Sequence, residues 1–381
     1  MDSVKSIGEP WYGFTNQFLC CDINPVLTLW LWFRILLVVS LILYIKPSRM
    51  EKMNIEYKNV LVTGCAGFIG SKISETLLEQ GIIVVGVDNI NNSYSPQLKE
   101  YRLSKLQRFP DFTFYKFDVK IFDSLKELFQ RSCIDAVINL SARVGVRSSV
   151  ENPWIYVETN IIGTLNLLEL CKQFEVKKFV LASTSSIYGK NTPPFIENDQ
   201  ADCQLSPYAA SKKGADALAY SYHHLYKIDI TIPRYFTVYG PAGRPDMSPF
   251  KFIQRIAEGI HITVYGDGTQ ERDFTYVDDI ALGSIAGLKP LGFEVVNLGS
   301  DHPVQLNYVI KLMEEYIGKK AEIQYQPQHL ADMSITWADI SKAKRLLDWQ
   351  PKITIEEGIY NAVKWYMDNR DWAKDVWFAE P

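Results

Sequence analysis

The sequence is poor in the residues that usually hold metal ions or form disulfide bridges. It has six cysteines and five histidines in 381 residues, and Cys20 and Cys21 are the only adjacent cysteines. Their positions do not match the spacings typical of zinc or iron–sulfur sites, so we predict no metal. The scattered cysteines indicate reduced thiols in a reducing compartment. We interpret Cys65, which lies among glycines, as a small filler residue rather than a redox group.

The sequence also lacks a strong excess of charge of either sign. The formal net charge is −4, and the hydrophobic and charged fractions of 47% and 22% are those of an ordinary globular protein. It has no internal repeat and no low-complexity run. This composition gives no reason to expect nucleic acid as a partner. The length of 381 residues allows two domains, or one large domain with a lobe.

The chain does contain the pattern of a dinucleotide-binding turn within residues 58–88. An apolar run at 60–63 predicts a buried strand, and the amphipathic stretch after the turn predicts a helix. A second apolar run at 82–87 ends on Asp88. Three glycines occupy the turn between strand and helix: Gly64, Gly67 and Gly70. This order of strand, glycine turn, helix, strand and acid is the Rossmann fingerprint.

Each glycine of the fingerprint has a physical task. Gly64 permits a tight turn, Gly67 lets the backbone approach a pyrophosphate, and Gly70 lets the helix pack close to the strand. The start of the helix then presents N–H groups and the positive end of its dipole to phosphates. Asp88, which lies 18 residues after Gly70, is placed to accept hydrogen bonds from an adenosine ribose. Its carboxylate would repel a 2′-phosphate, so it favours NAD over NADP.

Strands and helices alternate as far as about Tyr239, which predicts an α/β fold with a Rossmann-type, doubly wound parallel sheet. The predicted strands are 60–63, 82–87, 112–117, 136–140, 178–182 and 228–233; the predicted helices include 98–106, 124–130, 153–172 and 206–226. Later elements are shorter, and we predict that they form a smaller α/β substrate lobe interleaved with the sheet. The predicted domains are an NAD-binding domain at 55–239, a substrate-binding lobe at 240–370 and a tail at 371–381.

Polar residues cluster where the predicted strands end, which is where open α/β sheets bind their ligands. The clusters are Asp118-Val119, residues 141–143 and the hydroxyl-rich stretch 183–189. Tyr208 and Lys212 follow on a predicted helix, four residues apart and therefore on one face. A nearby ammonium favours the phenolate, so we expect Lys212 to lower the pKa of Tyr208 and make it a general base.

A long hydrophobic run lies near the N-terminus. Residues 26–45 contain a single charge, Arg34, and are long enough to cross a bilayer as a helix. Three basic residues follow closely: Lys46, Arg49 and Lys52. The positive-inside rule then places the rest of the chain in the cytoplasm, and a signal peptide would need a basic start and a cleavage site. We predict a membrane anchor in segment 1–50, unless the protein begins at Met50 or Met53.

Together these residues resemble the extended short-chain dehydrogenase/reductases, and within them the nucleotide-sugar 4-epimerases. The resemblance covers about 58–369 and rests on the glycine turn, Asp118-Val119, the Tyr208-x-x-x-Lys212 pair, and residues 233–236, 266–268 and 272–279. The stretch 234–247 (RYFTVYGPAGRPDM) resembles the UDP-glucuronate 4-epimerase branch. Asp88-Asn89, residues 145–147 and residues 336–343 do so as well.

The resemblance implies a catalytic centre and NAD as cofactor. Tyr208 would be the base, Lys212 its partner, and Thr184 the hydroxyl that holds the sugar 4-OH. These three residues also argue against a non-catalytic binding or scaffold protein. The residues that the resemblance places against NAD are Gly64, Gly67, Phe68, Ile69, Gly70, Asp88, Asn89, Asp118, Val119, Leu140, Ala142, Asn160, Tyr208, Lys212 and Tyr235.

The resemblance further implies a UDP-sugar substrate. The residues that it places at this substrate are Arg147, Ser185, Ser186, Thr237, Arg244, Arg272 and Asp332. Arg147 and Arg272 would face the diphosphate or the sugar, and the loop of Asp332 would grip uridine. Arg244 would bind a sugar carboxylate, because a guanidinium fork pairs with a carboxylate through two bonds. Thr237 replaces an asparagine of UDP-galactose 4-epimerases, as it does in the uronate branch.

The chain departs from that branch at three positions. Ala242 stands where a bulkier aromatic residue is usual, Arg143 stands where glutamine or histidine is usual, and Ala331 replaces a glycine before Asp332. None of these changes removes a catalytic group. They leave the identity of the sugar open.

The implied reaction is NAD-dependent inversion of C4 of a UDP-sugar through a 4-keto sugar, with UDP-glucuronate and UDP-galacturonate as the leading pair. The alternatives are a 4-epimerase of UDP-glucose, of UDP-N-acetylglucosamine or of its uronate, a UDP-glucuronate decarboxylase, and a net NAD-dependent dehydrogenase or reductase. Ser185 and Ser186 stand where 4,6-dehydratases and decarboxylases carry acids, which disfavours both. The resemblance implies a homodimer through helices 153–172 and 206–226. We expect a cytoplasmic enzyme, tethered if residues 26–45 are inserted, that supplies polysaccharide or capsule synthesis.

Overall fold

The apolar runs of the first half of the chain form one parallel β-sheet in the computed structural model, which describes residues 53–327 and 333–378. The strands are β1 (Asn59–Thr63), β2 (Ile83–Asp88), β3 (Phe112–Lys116), β4 (Ala136–Asn139), β5 (Lys178–Leu181), β6 (Ser183–Thr184), β7 (Asp229–Tyr235), β8 (Thr237–Tyr239), β9 (Ile262–Tyr265), β10 (Glu271–Tyr276), β11 (Phe293–Leu298), β12 (Pro303–Gln305) and β13 (Ile323–Gln326). The main sheet has the order β3-β2-β1-β4-β5-β7-β11, and β6 also pairs with β7.

Helices follow most of these strands. They are α1 (Phe68–Glu79), α2 (Pro96–Leu106), α3 (Phe122–Arg131), α4 (Val146–Glu151), α5 (Trp154–Tyr156), α6 (Gly163–Gln173), α7 (Pro207–Tyr226), α8 (Ser248–Glu258), α9 (Val277–Ala286), α10 (Leu306–Ile317), α11 (Ser341–Leu347), α12 (Ile355–Asp368) and α13 (Arg370–Ala373). Helices α1, α2 and α9 form one packed group, and α3, α6 and α7 form another. The predicted Rossmann-type sheet is confirmed.

The strand order places a crevice at the site of interest. Every pairing in the main sheet is parallel, and the order reverses between β1 and β4. The loops that follow β1 and β4 therefore leave the sheet in opposite directions and open a ligand-binding crevice at its carboxyl edge. The central strands β1, β4 and β5 are largely apolar and buried, because helices cover both faces of such a sheet.

The hydrophobic core falls into two clusters. One lies on the main sheet and is covered by α3, α6 and α7. The other is built from β8 to β10 and from α8, α10 and α12, and it includes Tyr94 and Leu98 from the first half of the chain. Strand β11 belongs to the later part of the chain and yet pairs with β7 in the main sheet. The two halves of the sequence are thus interleaved, and the predicted domain boundary after Tyr239 stays a prediction.

The predicted helix 153–172 is not regular. It consists of α5, a π-helical segment at Val157–Ile162, and α6. The wider turn lies at Asn160, whose backbone carbonyl accepts the hydroxyl of Thr164 at 2.7 Å. Short π-helical segments are common at functional sites, because they redirect one side chain without ending the helix.

The tail, which carries no sequence motif, packs on the loop before α2. The Ser95 N–H donates to the Trp377 carbonyl at 2.8 Å, and Tyr94 forms a β-bridge with Phe378. The side-chain amide of Gln254 donates to three carbonyls of the tail, at 2.9 to 3.2 Å. Among residues 53–327 and 333–378, no helix is both long and apolar enough to span a membrane. The anchor predicted at 26–45 lies outside the described residues.

Candidate active site

The glycine turn after β1 is shaped by close backbone packing. Gly64 has a φ of +70°, and a Cβ on it would lie 2.9 Å from the carbonyl carbon of Leu140. A Cβ on Gly70 would clash with the carbonyl oxygen of Gly64. Only glycine fits both positions, and α1 begins at Phe68 directly after the turn. The turn therefore brings the N-terminus of a helix to the crevice between β1 and β4.

Cys65, within this turn, is a packing residue. Its side chain is fully buried, and burial raises the pKa of its thiol well above the usual value. A Cβ on Gly86 of the neighbouring strand would lie 2.7 Å from the Cys65 sulfur. This close fit confirms the interpretation of Cys65 as a filler residue. The other described cysteines, at 133, 171 and 203, are also free thiols.

Two carboxylates lie at the ends of β2 and β3. Asp88 is buried and accepts the N–H groups of Ala66 at 3.2 Å and Ile90 at 2.8 Å. Asp118 accepts the side-chain amide of Asn89 at 2.8 Å and the N–H of Lys120 at 3.0 Å. Four predicted cofactor residues thus lie at the carboxyl ends of two neighbouring strands: Asp88 and Asn89 at β2, and Asp118 and Val119 after β3.

Asn160 holds the loop after β4. Its side-chain oxygen accepts the Arg143 N–H at 2.8 Å, and its side-chain nitrogen donates to the Arg143 carbonyl at 3.0 Å. The same nitrogen donates to the hydroxyl of Ser211 at 2.8 Å. This side chain therefore ties the loop of Leu140 and Ala142 to helix α7. The hydrogen bonds of its amide give Asn160 a scaffolding task, and its contact with NAD stays a prediction.

Helix α7 carries Tyr208 and Lys212 into the interior. Ser206 caps the helix by accepting the N–H of Ala209 at 3.2 Å, and both Tyr208 and Lys212 are buried on the same face. The Tyr208 hydroxyl lies by Thr184, the last residue of β6, whose hydroxyl favours the phenolate and so acts to lower the pKa of Tyr208. Ser185 and Ser186 continue from Thr184 in a 3₁₀ turn, and the Ser186 N–H donates to the Thr184 hydroxyl at 3.2 Å. The hydroxyl-rich strand end and the tyrosine thus meet.

The expected lowering of the Tyr208 pKa by Lys212 is wrong. Burial raises the pKa of Tyr208, and the Thr184 hydroxyl and the Arg244 guanidinium only partly oppose this. Burial also lowers the pKa of Lys212 to about 8, while the carboxylate of Asp216 raises it. Loss of hydration disfavours both charged forms, and this term follows from tertiary burial rather than from the i, i+4 spacing.

Arg244 lies on the loop after β8 and faces the tyrosine. Its charge acts on Tyr208, and its guanidinium pairs with Asp246 through Nε at 3.1 Å and through Nη2. This pair outweighs the effect of burial, so the pKa of Arg244 is raised. A cation beside the predicted base can bind an anionic group of a substrate.

Two buried cations near the site escaped sequence analysis. Lys99 donates to the backbone and side-chain oxygens of Asn91, both at 2.8 Å. The pKa of Lys99 is lowered to about 8, mainly by burial and also by the charges of nearby arginines, while the Asp88 carboxylate opposes this; the arginines are Arg102, Arg143 and Arg244. These four cations make the crevice electropositive. Lys99 and Arg102 stand three residues apart on α2, without any motif to mark them.

The remaining predicted substrate residues lie on separate elements. Arg147 lies in α4 with its guanidinium 4.1 Å from the centre of the Tyr265 ring, and Arg272 in β10 donates to the Ser334 carbonyl at 3.3 Å. Thr237 begins β8. The predicted cofactor residue Tyr235 bonds through its hydroxyl with Ser284 at 2.8 Å. Asp332 lies outside the described residues.

Comparison with known proteins places this geometry in a family. A family model described as GDP-mannose 4,6 dehydratase matches residues 61–362. The UDP-glucuronate 4-epimerase of Thermodesulfobacterium geofontis is 57% identical over 317 residues, which cover 83% of this chain and 98% of that protein. The chain belongs to this extended short-chain dehydrogenase/reductase family. The family resemblance stated from the sequence is confirmed.

Solved structures of family members carry ligands. The UDP-glucuronic acid 4-epimerase of Bacillus cereus, in complex with UDP-glucuronic acid and NAD, is 37% identical, with a TM-score of 0.77 over 82% of this chain and 99% of that one. The UDP-glucose 4-epimerase of Thermotoga maritima, solved with UDP-glucose, is 31% identical with a TM-score of 0.76, over 82% and 99% of the two chains. Family members with this fold thus bind UDP-sugars with and without a carboxylate.

Proposed function

We propose that this protein is an NAD-dependent 4-epimerase that interconverts UDP-glucuronate and UDP-galacturonate. The observation that carries the proposal is that one buried tyrosine, Tyr208, lies beside the Thr184 hydroxyl and within the influence of the Arg244 charge. A proton-transfer group and a carboxylate-binding group then share one site. The relatives of this chain include UDP-glucuronate 4-epimerases, and the match extends over nearly the whole length of those relatives.

The residues present fit NAD. The glycine turn brings the start of α1 to the crevice, Asp88 offers a buried carboxylate at the end of β2, and the cations near Lys99 suit a diphosphate. The proposed cofactor site also includes these residues: Gly64, Gly67, Phe68, Ile69, Gly70, Asn89, Asp118, Val119, Leu140, Ala142 and Tyr235. When bound, NAD supplies a reversible hydride acceptor for C4 and a positive charge on its nicotinamide ring.

The protein's own residues move the proton and hold the sugar. Tyr208 accepts the proton of the sugar 4-hydroxyl while Thr184 positions that hydroxyl, and Tyr208 later returns the proton after the 4-keto sugar has turned. Lys212, on the same helix face, is part of the proposed cofactor site. Because burial raises the pKa of Tyr208, its basic form depends on the positive charges around it.

The substrate residues have distinct proposed tasks. Arg147 and Arg272 hold the diphosphate, so the sugar can turn while its tether stays fixed. Ser185 and Ser186 contact the sugar beside Thr184. Arg244 and Thr237 receive the carboxylate at C5, and the loop of Asp332 binds uridine. An arginine fork and a carboxylate make two parallel charge-assisted hydrogen bonds, which fixes orientation as well as charge.

Replacement of the base tests this mechanism. We expect Tyr208→Phe to lower kcat by about 10³-fold, because proton transfer by a positioned side chain contributes about 10²- to 10⁴-fold. NAD and UDP-glucuronate should still bind. Tyr360→Phe is the matched control, since Tyr360 lies on α12 outside the proposed site and is 50% exposed. Full activity of Tyr208→Phe would refute the assignment.

The product distinguishes the alternatives left open by the sequence. Mass spectrometry of the reaction with UDP-glucuronate should show a product of unchanged mass that separates from the substrate by anion-exchange chromatography. Loss of carbon dioxide would indicate a decarboxylase. NADH accumulating in proportion to product would indicate a net dehydrogenase. Turnover of UDP-glucose or UDP-N-acetylglucosamine alone would reassign the substrate.

We also propose a homodimer through the helices at 154–173 and 207–226. Both carry exposed hydrophobic side chains, among them Trp154, which is 76% exposed, and Val157, Tyr220 and Leu225. Large apolar side chains left exposed on neighbouring helices are typical of an interface. Sedimentation equilibrium should give twice the chain mass, and Trp154→Glu should give the monomer. A monomeric wild-type protein would overturn this.

The cellular setting forms the last part of the proposal. The free thiols at 65, 133, 171 and 203 suit the reducing cytoplasm. Residues 26–45 would tether the enzyme to the cytoplasmic face of a membrane. A supply of UDP-galacturonate would serve polysaccharide or capsule synthesis. Fractionation of the full chain and of a chain that begins at Met53 tests the tether, since only the full chain should sediment with membranes.

A further inference from the structure

Arg102 is the most connected buried cation near the site. It lies on α2 and is 3% exposed. Its Nη1 donates to the Ala66 carbonyl at 3.2 Å and to the Tyr94 hydroxyl at 2.8 Å. Its Nε and Nη2 donate to the Ala242 carbonyl at 3.1 and 2.7 Å, and Nη2 also reaches the Gly243 carbonyl at 3.0 Å. One guanidinium thus bonds to three separate segments of the chain.

Each of these segments carries part of the proposed site. Ala66 belongs to the glycine turn, and Asp88 accepts the Ala66 N–H, so this residue is held on both sides. Tyr94 lies in the loop at 89–95, which joins Asp88 to α2. Ala242 and Gly243 directly precede Arg244, the proposed carboxylate-binding residue.

The loop before Arg244 needs external support. Ala242 has a φ of +52°, a left-handed conformation that is unfavourable for residues with a Cβ. The two hydrogen bonds from Arg102 to its carbonyl hold the peptide in this conformation. Arginine suits the task because its planar fork presents five donors in fixed directions, whereas a lysine ammonium is a point with three donors.

We propose that Arg102 is a positioning residue that couples the cofactor turn to the carboxylate-binding loop, so that both binding sites depend on one side chain. This inference rests on the proposed function, since it takes the glycine turn as the NAD site and Arg244 as the carboxylate site. All three nitrogens of its guanidinium donate to protein oxygens, so we assign Arg102 no direct ligand contact. It sets the position of Ala66 on one side and of Arg244 on the other.

The test measures binding of both ligands without turnover. Full-length Tyr208→Phe protein serves as the reference, and equilibrium dissociation constants for NAD and for UDP-glucuronate are measured by calorimetry. Adding Arg102→Met should raise both dissociation constants by about tenfold, since hydrogen bonds to a charged group are lost at each loop. Arg108→Met is the matched control, because Arg108 is exposed just beyond the end of α2, and it should change neither constant.

The readouts separate coupling from a general loss of stability. A lower melting temperature with both constants within about twofold of the reference would overturn the proposal. A rise in only one constant would overturn it as well. If Arg102→Met does not fold, Arg102→Lys replaces it and should raise both constants by a smaller factor; unchanged constants there would contradict the proposal. Wild-type protein that binds UDP-glucuronate without converting it would refute the proposed function and leave this test valid.

Discussion

In the proposed function, the choice of substrate depends on Arg244. In the structure its guanidinium pairs with Asp246 and acts on Tyr208. A sugar carboxylate would accept hydrogen bonds from the N–H groups of this guanidinium, whereas a neutral hydroxymethyl group would gain little binding energy from it. We expect Arg244→Met to raise KM for UDP-glucuronate by about 10- to 100-fold, the worth of a charge-assisted hydrogen bond. Steady-state kinetics with UDP-glucuronate measure this.

Two controls show whether the effect of Arg244→Met comes from the sugar carboxylate: a substrate without a carboxylate and the loss of a different arginine. Any turnover of UDP-glucose should be nearly unchanged in Arg244→Met, because this sugar has no carboxylate. Arg345→Met removes an exposed arginine and should leave both substrates unaffected. Equal losses for both sugars would mean that Arg244 supports the fold of the loop rather than recognising the uronate.

Asp216 controls the charge of Lys212 from one helical turn away. Its buried carboxylate accepts the Ser183 hydroxyl at 3.0 Å and lies 3.6 Å from Nη2 of Arg234. Burial lowers the pKa of Lys212 to about 8, and Asp216 raises it. Asp216→Asn removes the negative charge, so the pKa of Lys212 falls further. The alkaline limb of kcat/KM should move to lower pH by about one unit.

The control for this prediction is an exposed aspartate. Asp202 lies 3.7 Å from Lys213 on the surface, and Asp202→Asn should leave the pH profile unchanged. Assays must run well below the melting temperature of Asp216→Asn, since removing one partner of a buried ion pair costs about 3 to 5 kcal/mol. An unshifted alkaline limb in folded Asp216→Asn would show that Lys212 does not govern that limb.

Sequence reasoning succeeds at this scale where spacing alone fixes geometry. Tyr208 and Lys212 are four residues apart in a helix, so their common face follows from 3.6 residues per turn. The direction of the Tyr208 pKa could not be predicted, because it depends on how deeply the fold buries the phenol. Lys99 and Arg102 were missed because nothing in a linear sequence marks an α2 residue as a neighbour of Ala242, 140 residues later.

Among the elements, the π-helical segment at Val157–Ile162 has the clearest structural task. It directs Asn160 to the loop after β4 and to Ser211 of α7. We expect Asn160→Ala to lower the free energy of unfolding by about 1 to 3 kcal/mol, since it leaves partly buried backbone groups of Arg143 unpaired. Urea denaturation measures this loss. NAD binding should weaken too, because the loop of Leu140 and Ala142 is released.

An asparagine-to-alanine substitution on the surface is the control for Asn160→Ala. Asn198 is exposed, and Asn198→Ala should change the free energy of unfolding by about 0.5 kcal/mol or less. If Asn160→Ala keeps the stability of the wild type but loses NAD, the side chain would contact the cofactor, as the sequence had suggested, rather than support the loop.

Some elements can be predicted from the local sequence pattern, whereas others depend on tertiary contacts that the local sequence does not show. The strands of the first half were predicted within a few residues, because buried parallel strands are continuous apolar runs between polar turns. The π-helical segment could not be predicted, since it depends on bonds between Asn160 and residues of other elements. The docking of the tail on Ser95 uses the backbone carbonyl of Trp377, which leaves no trace in side-chain patterns.

The whole molecule brings residues from both halves of the chain to one crevice. The strand order places the turn after β1 and the loop after β4 side by side, and β8 brings the loop of Arg244 to the same place. The order of the first five strands follows from the alternating pattern and the Rossmann fingerprint. The return of β11 to the main sheet does not, because its partner β7 lies about 60 residues earlier.

The central claim is that this crevice inverts C4 of UDP-glucuronate without net oxidation. The most direct measurement is a pair of proton NMR time courses with the full chain and NAD below the substrate concentration, one from UDP-glucuronate and one from UDP-galacturonate. We predict that both converge on the same mixture and that conversion far exceeds the NAD supplied. A pentose product, conversion limited to the amount of NAD, or no change from either side would contradict the claim.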